Sequence, residues 1–189
     1  MEGKMIIVSA PSGAGKTSIV RYLLEQETSL SFSISATSRP KRAGETDRKD
    51  YYFLSSEDFK KKIEEGDFLE WQEVYPNQFY GTFKSEVERI WTLGNHVVFD
   101  IDVLGGIEMK RLFGGRALSI FIKPPDIETL IERLKSRGTE DVESFTQRIA
   151  KVEFELSFED QFDEVVVNDD LPTAQKEVVK LVRQFTINN

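Results

Sequence analysis

Ala10-Pro11-Ser12-Gly13-Ala14-Gly15-Lys16-Thr17 holds the densest chemical potential in this sequence. Small residues let successive backbone N–H groups curl around an anion, and a helix starting at the end of the turn adds the positive end of its dipole. In the pattern G-x-x-x-x-G-K-[ST], the lysine reaches the β- and γ-phosphates of a nucleotide and the hydroxyl ligates Mg²⁺. Gly15, Lys16 and Thr17 stand at that spacing, while Ala10 replaces the first glycine, where a backbone needing positive φ would strain alanine. A turn whose glycines serve backbone geometry alone is the plainer alternative. The Gly-Lys-Thr triplet between an apolar run and a helical pattern argues against it. All eight residues are therefore expected to bind ATP, with Lys16 also catalytic.

A second element supports the first. Val97-Val98-Phe99-Asp100 is an apolar run ending in a carboxylate, as expected of a strand whose aspartate sits near the metal. Thr17 and Asp100 are the expected Mg²⁺ ligands, directly or through water. Asp102, two residues on, would face the same way if the strand continued. Two clusters, Arg39/Lys41/Arg42 and Arg133/Lys135/Arg137, concentrate positive charge. Solvated surface is the ordinary reading of such clusters, but the guanidinium fork also suits phosphate oxygens.

These residues need a scaffold. Met5-Ile6-Ile7-Val8-Ser9 reads as a buried strand, and Thr17 to Gln26 carries Ile19, Val20, Leu23 and Leu24 at helical spacing. Apolar runs over His96–Ile101, Ala117–Ile122 and Glu164–Val167 are each followed by a helical pattern, over about Val103–Leu112, Ile127–Lys135 and Ala174–Phe185. This alternation predicts a P-loop α/β fold with three α/β/α layers and a parallel central sheet. Ser31 to Ser85 breaks the rhythm. Its aromatics and charges, with short strands at Tyr51–Leu54 and Phe68–Trp71, suggest an inserted mixed α+β region.

Composition bounds the function. The chain has 189 residues, 39% hydrophobic and 31% charged, which suits one domain with moving parts. It has no cysteine, so thiolate chemistry and disulfides are excluded. A net charge of −8 argues against nucleic acid as a partner. No segment has the pattern of a signal peptide or the length of a membrane span, so a cytoplasmic location is expected and no membrane partner. His96, the only histidine, starts an apolar strand without a partner cluster and reads as structural.

Ser35-Ala36-Thr37-Ser38-Arg39-Pro40-Lys41-Arg42-Ala43-Gly44-Glu45 resembles the guanylate kinase family. So do Asp50-Tyr51-Tyr52-Phe53, Glu70-Trp71, Tyr80-Gly81-Thr82, Asp100-Ile101-Asp102 and Val166-Val167-Asn168-Asp169-Asp170, in order along nearly the whole chain. The resemblance implies transfer of the γ-phosphoryl group of ATP to GMP with Mg²⁺. It implies that Arg39, Arg42, Tyr51 and Tyr80 bind the GMP phosphate, with Arg39 also catalytic, and that Ser35, Glu70 and Asp102 read guanine beside Thr82 and Asp100. Thr82 stands where the family usually has serine, and Arg48 where glycine is expected. Tyr52, Phe53, Trp71 and Phe79 are expected to pack in the core.

The pattern Glu128 to Gly138 predicts a helix, and Glu143 to Ser157 a second carrying Arg148. They resemble the family's helical lid, whose arginines reach the transferring phosphates; Arg133 and Arg137 are assigned to ATP, and Arg137 and Arg148 to catalysis. Asn168 lies in the loop that the family places near the adenine. The expected parts are a core (1–32, 86–125 and 158–189), a GMP-binding insertion (33–85) and a lid (126–157). Two rivals remain: a related fold that binds a phosphorylated protein segment without catalysis, and a P-loop kinase for another phosphorylated metabolite.

Overall fold

The computed structural model describes residues 3–135 and 150–187. Its larger sheet has five parallel strands in the order β2-β7-β1-β8-β9, flanked by helices. These strands are β1 (Met5–Ser9), β2 (Leu30–Phe32), β7 (His96–Asp100), β8 (Ala117–Lys123) and β9 (Glu164–Val167). The second sheet is mixed, in the order β4-β3-β6-β5, from β3 (Ala36–Thr37), β4 (Tyr52–Phe53), β5 (Phe68–Tyr75) and β6 (Gln78–Phe83). β3 pairs parallel to β4, while β6 runs antiparallel to both β3 and β5. The fold class expected from the strand–helix alternation is the one observed.

The chain divides into two compact units: Met1–Met5 with Ser29–Phe99, and Ile6–Thr28 with Asp100–Asn189. In the second, β1 and β8 are almost wholly buried, as an apolar run covered on both faces must be. Helix α1 (Lys16–Gln26) packs on α7 (Leu171–Ile187), joined at the surface by the Arg183–Glu27 ion pair at 2.6 Å. Helix α4 (Val103–Phe113) lies against β8, and Val103, Phe121 and Phe162 form a buried cluster there. Helix α5 (Ile127–Lys135) follows β8, and residues 150–156 are helical (α6). The final helix starts three residues earlier than its apolar stripe. Asp170 Oδ2 accepts from the Thr173 N–H at 3.1 Å, and Pro172 fits the first turn, where no donor is needed.

The mixed sheet of the first unit has two unlike faces. Phe59 of α2 (Ser56–Glu64) stacks on Phe68 at 4.4 Å and on Phe79 at 5.5 Å, with Ala36, Tyr52 and Phe83 completing the cluster. Ser55 caps α2 by accepting from the Asp58 N–H, with Glu57 and Asp58 in the first turn and Lys61 and Lys62 in the last. Phe68 pairs with Phe83 and Glu70 with Thr82, a register shift that marks a bulge at Leu69. The bulge puts Phe68 and Glu70, two residues apart, on opposite faces of the sheet. Phe79 is buried as expected, but Trp71 is 43% exposed and is not a core residue. Its neighbour across the strands is Gly81, which has no side chain, and Phe79, at 6.3 Å between ring centres, leaves much of the indole open.

Helix α3 (Lys84–Thr92) completes this unit. His96 Nδ1 accepts the Lys4 N–H at 3.0 Å, and burial, with Lys4 nearby, pushes the imidazole below its ordinary range. Its role is structural.

Gly81 approaches β5 so closely that a Cβ would lie 2.8 Å from the Glu70 carbonyl oxygen and 3.0 Å from Trp71 Cβ. Gly81→Ala should destabilise the fold by about 1–3 kcal/mol, read as a lower urea midpoint at unchanged slope.

Candidate active site

The phosphate turn joins β1 to α1. Gly13 (φ 92°) and Gly15 (φ 94°) occupy the left-handed region, whereas Ala10 does not, so replacing the first glycine brings no strain. The Ala14 N–H donates to the Pro11 carbonyl at 3.1 Å and tightens the loop. No side chain caps α1, and its first turn holds no carboxylate. Its leading N–H groups thus remain for an anion. Lys16, the first helical residue, pairs with Asp100 and donates to the Ile101 carbonyl at 2.9 Å. Thr17 Oγ1 lies 3.4 Å from the other Asp100 oxygen. Lysine, threonine and aspartate, 84 positions apart at the extremes, meet at one point.

Asn168 reaches the same turn from the end of β9. It is 3% exposed, and its Nδ2 donates to the Ala14 carbonyl at 2.7 Å. A Cβ on Gly15 would sit 2.3 Å from that nitrogen, so this glycine is required twice, by φ and by contact. The Asn168 Oδ1 is buried without a hydrogen-bond partner among the described residues. Both terminal nitrogens of Arg133, on α5, donate to the Asn168 backbone carbonyl at 3.2 Å. Arg137 and Arg148 lie outside the described residues.

Asp102 departs from the expected geometry. The strand stops at Asp100, and Asp102 turns instead to cap α4, its Oδ1 accepting from the Gly105 N–H at 3.0 Å. Gly106 forces close packing there, since a Cβ would meet Ser9 Oγ at 2.4 Å. Nearby, Glu155 of α6 is buried with Lys151 at 3.7 Å. Burial pushes its carboxyl up, and the charges of Asp102 and Lys16 both reach it.

The other predicted residues gather on the face of the mixed sheet opposite the aromatic cluster. Glu70 and Thr82, 6% and 1% exposed, are cross-strand neighbours, and Tyr80 pairs with both Gln72 and Thr37 on the same face. The Tyr51 ring meets that of Tyr80 edge-on at 6.1 Å. The Arg39 guanidinium sits 5.2 Å from the Tyr51 ring centre and 5.7 Å from that of Phe53. Phe53 therefore flanks the cation on this face and is only half-buried, rather than lying in the core. Ser35 accepts the Tyr52 N–H on its carbonyl at 2.9 Å. Arg42 is exposed on the loop that follows Arg39.

Glu45, quoted in the sequence motif without a role, organises this face. Its carboxylate binds Arg39 through both terminal nitrogens, at 2.5 and 2.8 Å, and accepts the Arg42 N–H at 2.7 Å. The fork geometry makes this a strong pair. Chiefly through Arg39, and then the Arg42 N–H, the Glu45 carboxyl is held at about 2, while Glu45 raises the Arg39 guanidinium. A carboxylate three residues beyond Arg42 and six beyond Arg39 was the available signal. Separately, a groove of about 450 Å³ between α1 and α7, lined by Tyr22, Lys176 and Arg183 among others, contains none of the predicted residues.

A family model described as guanylate kinase matches residues 2–185. The chain is 51% identical to a guanylate kinase of Bacteroides fragilis over 97% of its own length and 90% of that protein. It is 49% identical to a guanylate kinase of Porphyromonas gingivalis over 96% of its own length and 97% of that protein. Its fold is similar to the crystal structure of guanylate kinase from Anaplasma phagocytophilum, with a TM-score of 0.80, 28% identity, and coverage of 99% of this chain and 88% of that one.

A carboxyl held at about 2 in the folded chain, against an ordinary 4.5, stabilises the fold above the ordinary value, and that contribution is lost as pH falls towards 2. Glu45→Gln should therefore flatten the acid limb of the stability profile between these pH values. Chemical denaturation across that range measures it, and an unaltered limb would remove the pair from the folded protein.

Proposed function

The chain belongs to the guanylate kinase family, and from that premise we infer how its own residues move the γ-phosphoryl group of ATP onto GMP. The observation that carries the reading is the convergence of Lys16, Thr17 and Asp100 at a helix start that no side chain caps. Backbone N–H groups of residues 10–17 would bind the ATP phosphates, and Lys16 would exchange part of its pairing with Asp100 for the β- and γ-phosphate oxygens. The Thr17 hydroxyl and Asp100 carboxylate are hard oxygen donors, suited to a Mg²⁺ ion that keeps waters and arrives with phosphates. Bound there, Mg²⁺ would offset charge on the transferring group.

On the acceptor face, Arg39, Arg42, Tyr51 and Tyr80 would hold the GMP phosphate. Glu45 and the Pro40 carbonyl occupy the Nη1/Nη2 end of Arg39, and Tyr80 engages the same guanidinium. Two guanidinium groups and two phenolic hydroxyls suit a dianion. Glu70 would accept from guanine N1–H and the N2 amine, with Ser35 and Thr82 beside it; Asp102 is assigned to the same base by the family resemblance. Adenine lacks both donors on that edge and would leave a buried acceptor unpaired. The attacking phosphate is already anionic, so no side chain need act as a strong base. Catalysis then lies in alignment and charge stabilisation, from Lys16, Arg39 and the lid arginines Arg137 and Arg148, with Arg133 binding ATP.

The working parts are the core (1–32, 86–125 and 158–189), the acceptor region (33–85) and the lid (126–157). Closure of the lid would keep water from the γ-phosphate. Location in the cytoplasm accords with a chain in which no described helix is long and apolar enough to cross a membrane. A binding module without catalysis has no use for Lys16 and Asp100 beside an open helix start, which disfavours that rival.

Coupled ADP production with Mg²⁺·ATP and, separately, GMP, AMP, CMP and UMP should give strong turnover with GMP alone; none with GMP would favour the binding module. Lys16→Ala should lower kcat by about 10²- to 10³-fold or more while circular dichroism stays unchanged. Glu70→Gln should lower kcat/KM for GMP by roughly 10- to 100-fold, and an unchanged value would remove Glu70 from the guanine site.

A further inference from the structure

Outside the assigned residues, the most heavily used buried charge in the first unit is Glu86, in the first turn of α3. It is 2% exposed, yet both carboxylate oxygens are engaged. Oε1 accepts the Ile34 N–H at 3.1 Å and Arg89 Nη2 at 2.8 Å. Oε2 accepts the Tyr52 hydroxyl at 2.9 Å and Arg89 Nε at 3.0 Å. Arg89 is half-exposed and serves as the counter-charge. Burial pushes the Glu86 carboxyl up, but Arg89, the Ile34 N–H and the Tyr52 hydroxyl outweigh it and hold the group below its ordinary range.

The positions of the two backbone-linked partners matter more than their number. Ile34 immediately precedes Ser35, and Tyr52 immediately follows Tyr51. Tyr52 also donates its N–H to the Ser35 carbonyl at 2.9 Å. Ser35 is thus fixed from the N-terminal side by Glu86 and from across the sheet by a residue that Glu86 also holds. Ile34 lies between β2 and β3, and Glu86 supplies the acceptor for its N–H, as a ladder carbonyl does within a strand.

We propose that Glu86 is a positioning residue of the acceptor site, holding the Ser35 and Tyr51 segments in the geometry that receives GMP. It touches no reacting group. Its effect reaches the nucleotide through Ile34 and Tyr52, as supporting hydrogen bonds orient the residues that make direct contact. The inference rests on the assignment of Ser35 and Tyr51 to GMP.

Glu86→Gln keeps the shape but leaves one amide oxygen where two carboxylate oxygens accepted four bonds. KM for GMP should rise about tenfold, with kcat and KM for ATP within about twofold of the parent. Tyr52→Phe, which removes one link and leaves Ile34 held, should give a smaller rise in KM for GMP alone. Ser35→Ala, measured beside them, tests the assignment itself. If Ser35→Ala raises KM for GMP and Glu86→Gln does not, the positioning role is overturned and the acceptor site stands. If Glu86→Gln lowers apparent kcat in proportion to a loss of folded protein and leaves both KM values unchanged, Glu86 is structural only and the proposal falls. If Ser35→Ala also leaves KM for GMP unchanged, the acceptor assignment fails and this role fails with it.

Discussion

The leading N–H groups of a helix must find acceptors, and at the start of α1 the chain supplies no side chain to provide one. Two other helices meet that requirement with a side chain: Ser55 caps α2 and Asp102 caps α4. At α1 the cap position is Gly15 in a left-handed conformation, and the first turn carries lysine and threonine rather than a carboxylate. Much of the second unit converges on that turn. β1 delivers the turn, Asp100 steadies Lys16, and Asn168 pins the Ala14 carbonyl.

The mixed sheet solves a different problem, that of collecting charge on a small scaffold. One face is dry and aromatic, with Phe59, Phe68 and Phe79 stacked around Ala36. The other carries Arg39, Tyr51, Glu70, Tyr80 and Thr82. A single bulge at Leu69 makes this division possible, because without it Glu70 would follow Phe68 into the aromatic side. Arg39 is nearly buried and would be costly there alone. Glu45 and the faces of Tyr51 and Phe53 surround it, so the cation is held without being left bare.

The parts legible in the sequence were those whose signals are local. The apolar runs of β1, β7, β8 and β9 and the helical stripes after them stand out, because strands covered on both faces read as unbroken hydrophobic segments. The Gly-Lys-Thr turn was legible for the same reason. What escaped were elements whose stability comes from partners: β3 is two residues long and exists by pairing, and α2 buries only Phe59, whereas β4 falls inside the strand expected at Tyr51–Leu54. Helix α3 hid behind Glu86, a charge at a core position. Tertiary geometry explains why Trp71 and Phe53 lie outside the core, a ring opposite a glycine and a ring recruited beside a guanidinium, and why Asp102 turns to a helix cap once the strand ends at Asp100. The acceptor residues were named through resemblance, since no periodicity in residues 33–85 would have gathered them.

Asn168 makes the phosphate turn depend on residues far along the chain. The bond from its amide to the Ala14 carbonyl spans 154 positions, and its backbone carbonyl in turn takes Arg133. A ribosome therefore releases the Gly-Lys-Thr motif long before β9 exists to brace it. A nascent chain carries the motif but not its bracing, so the turn acquires its folded hydrogen bonding only after residue 168 has been made and the two segments of the second unit have met.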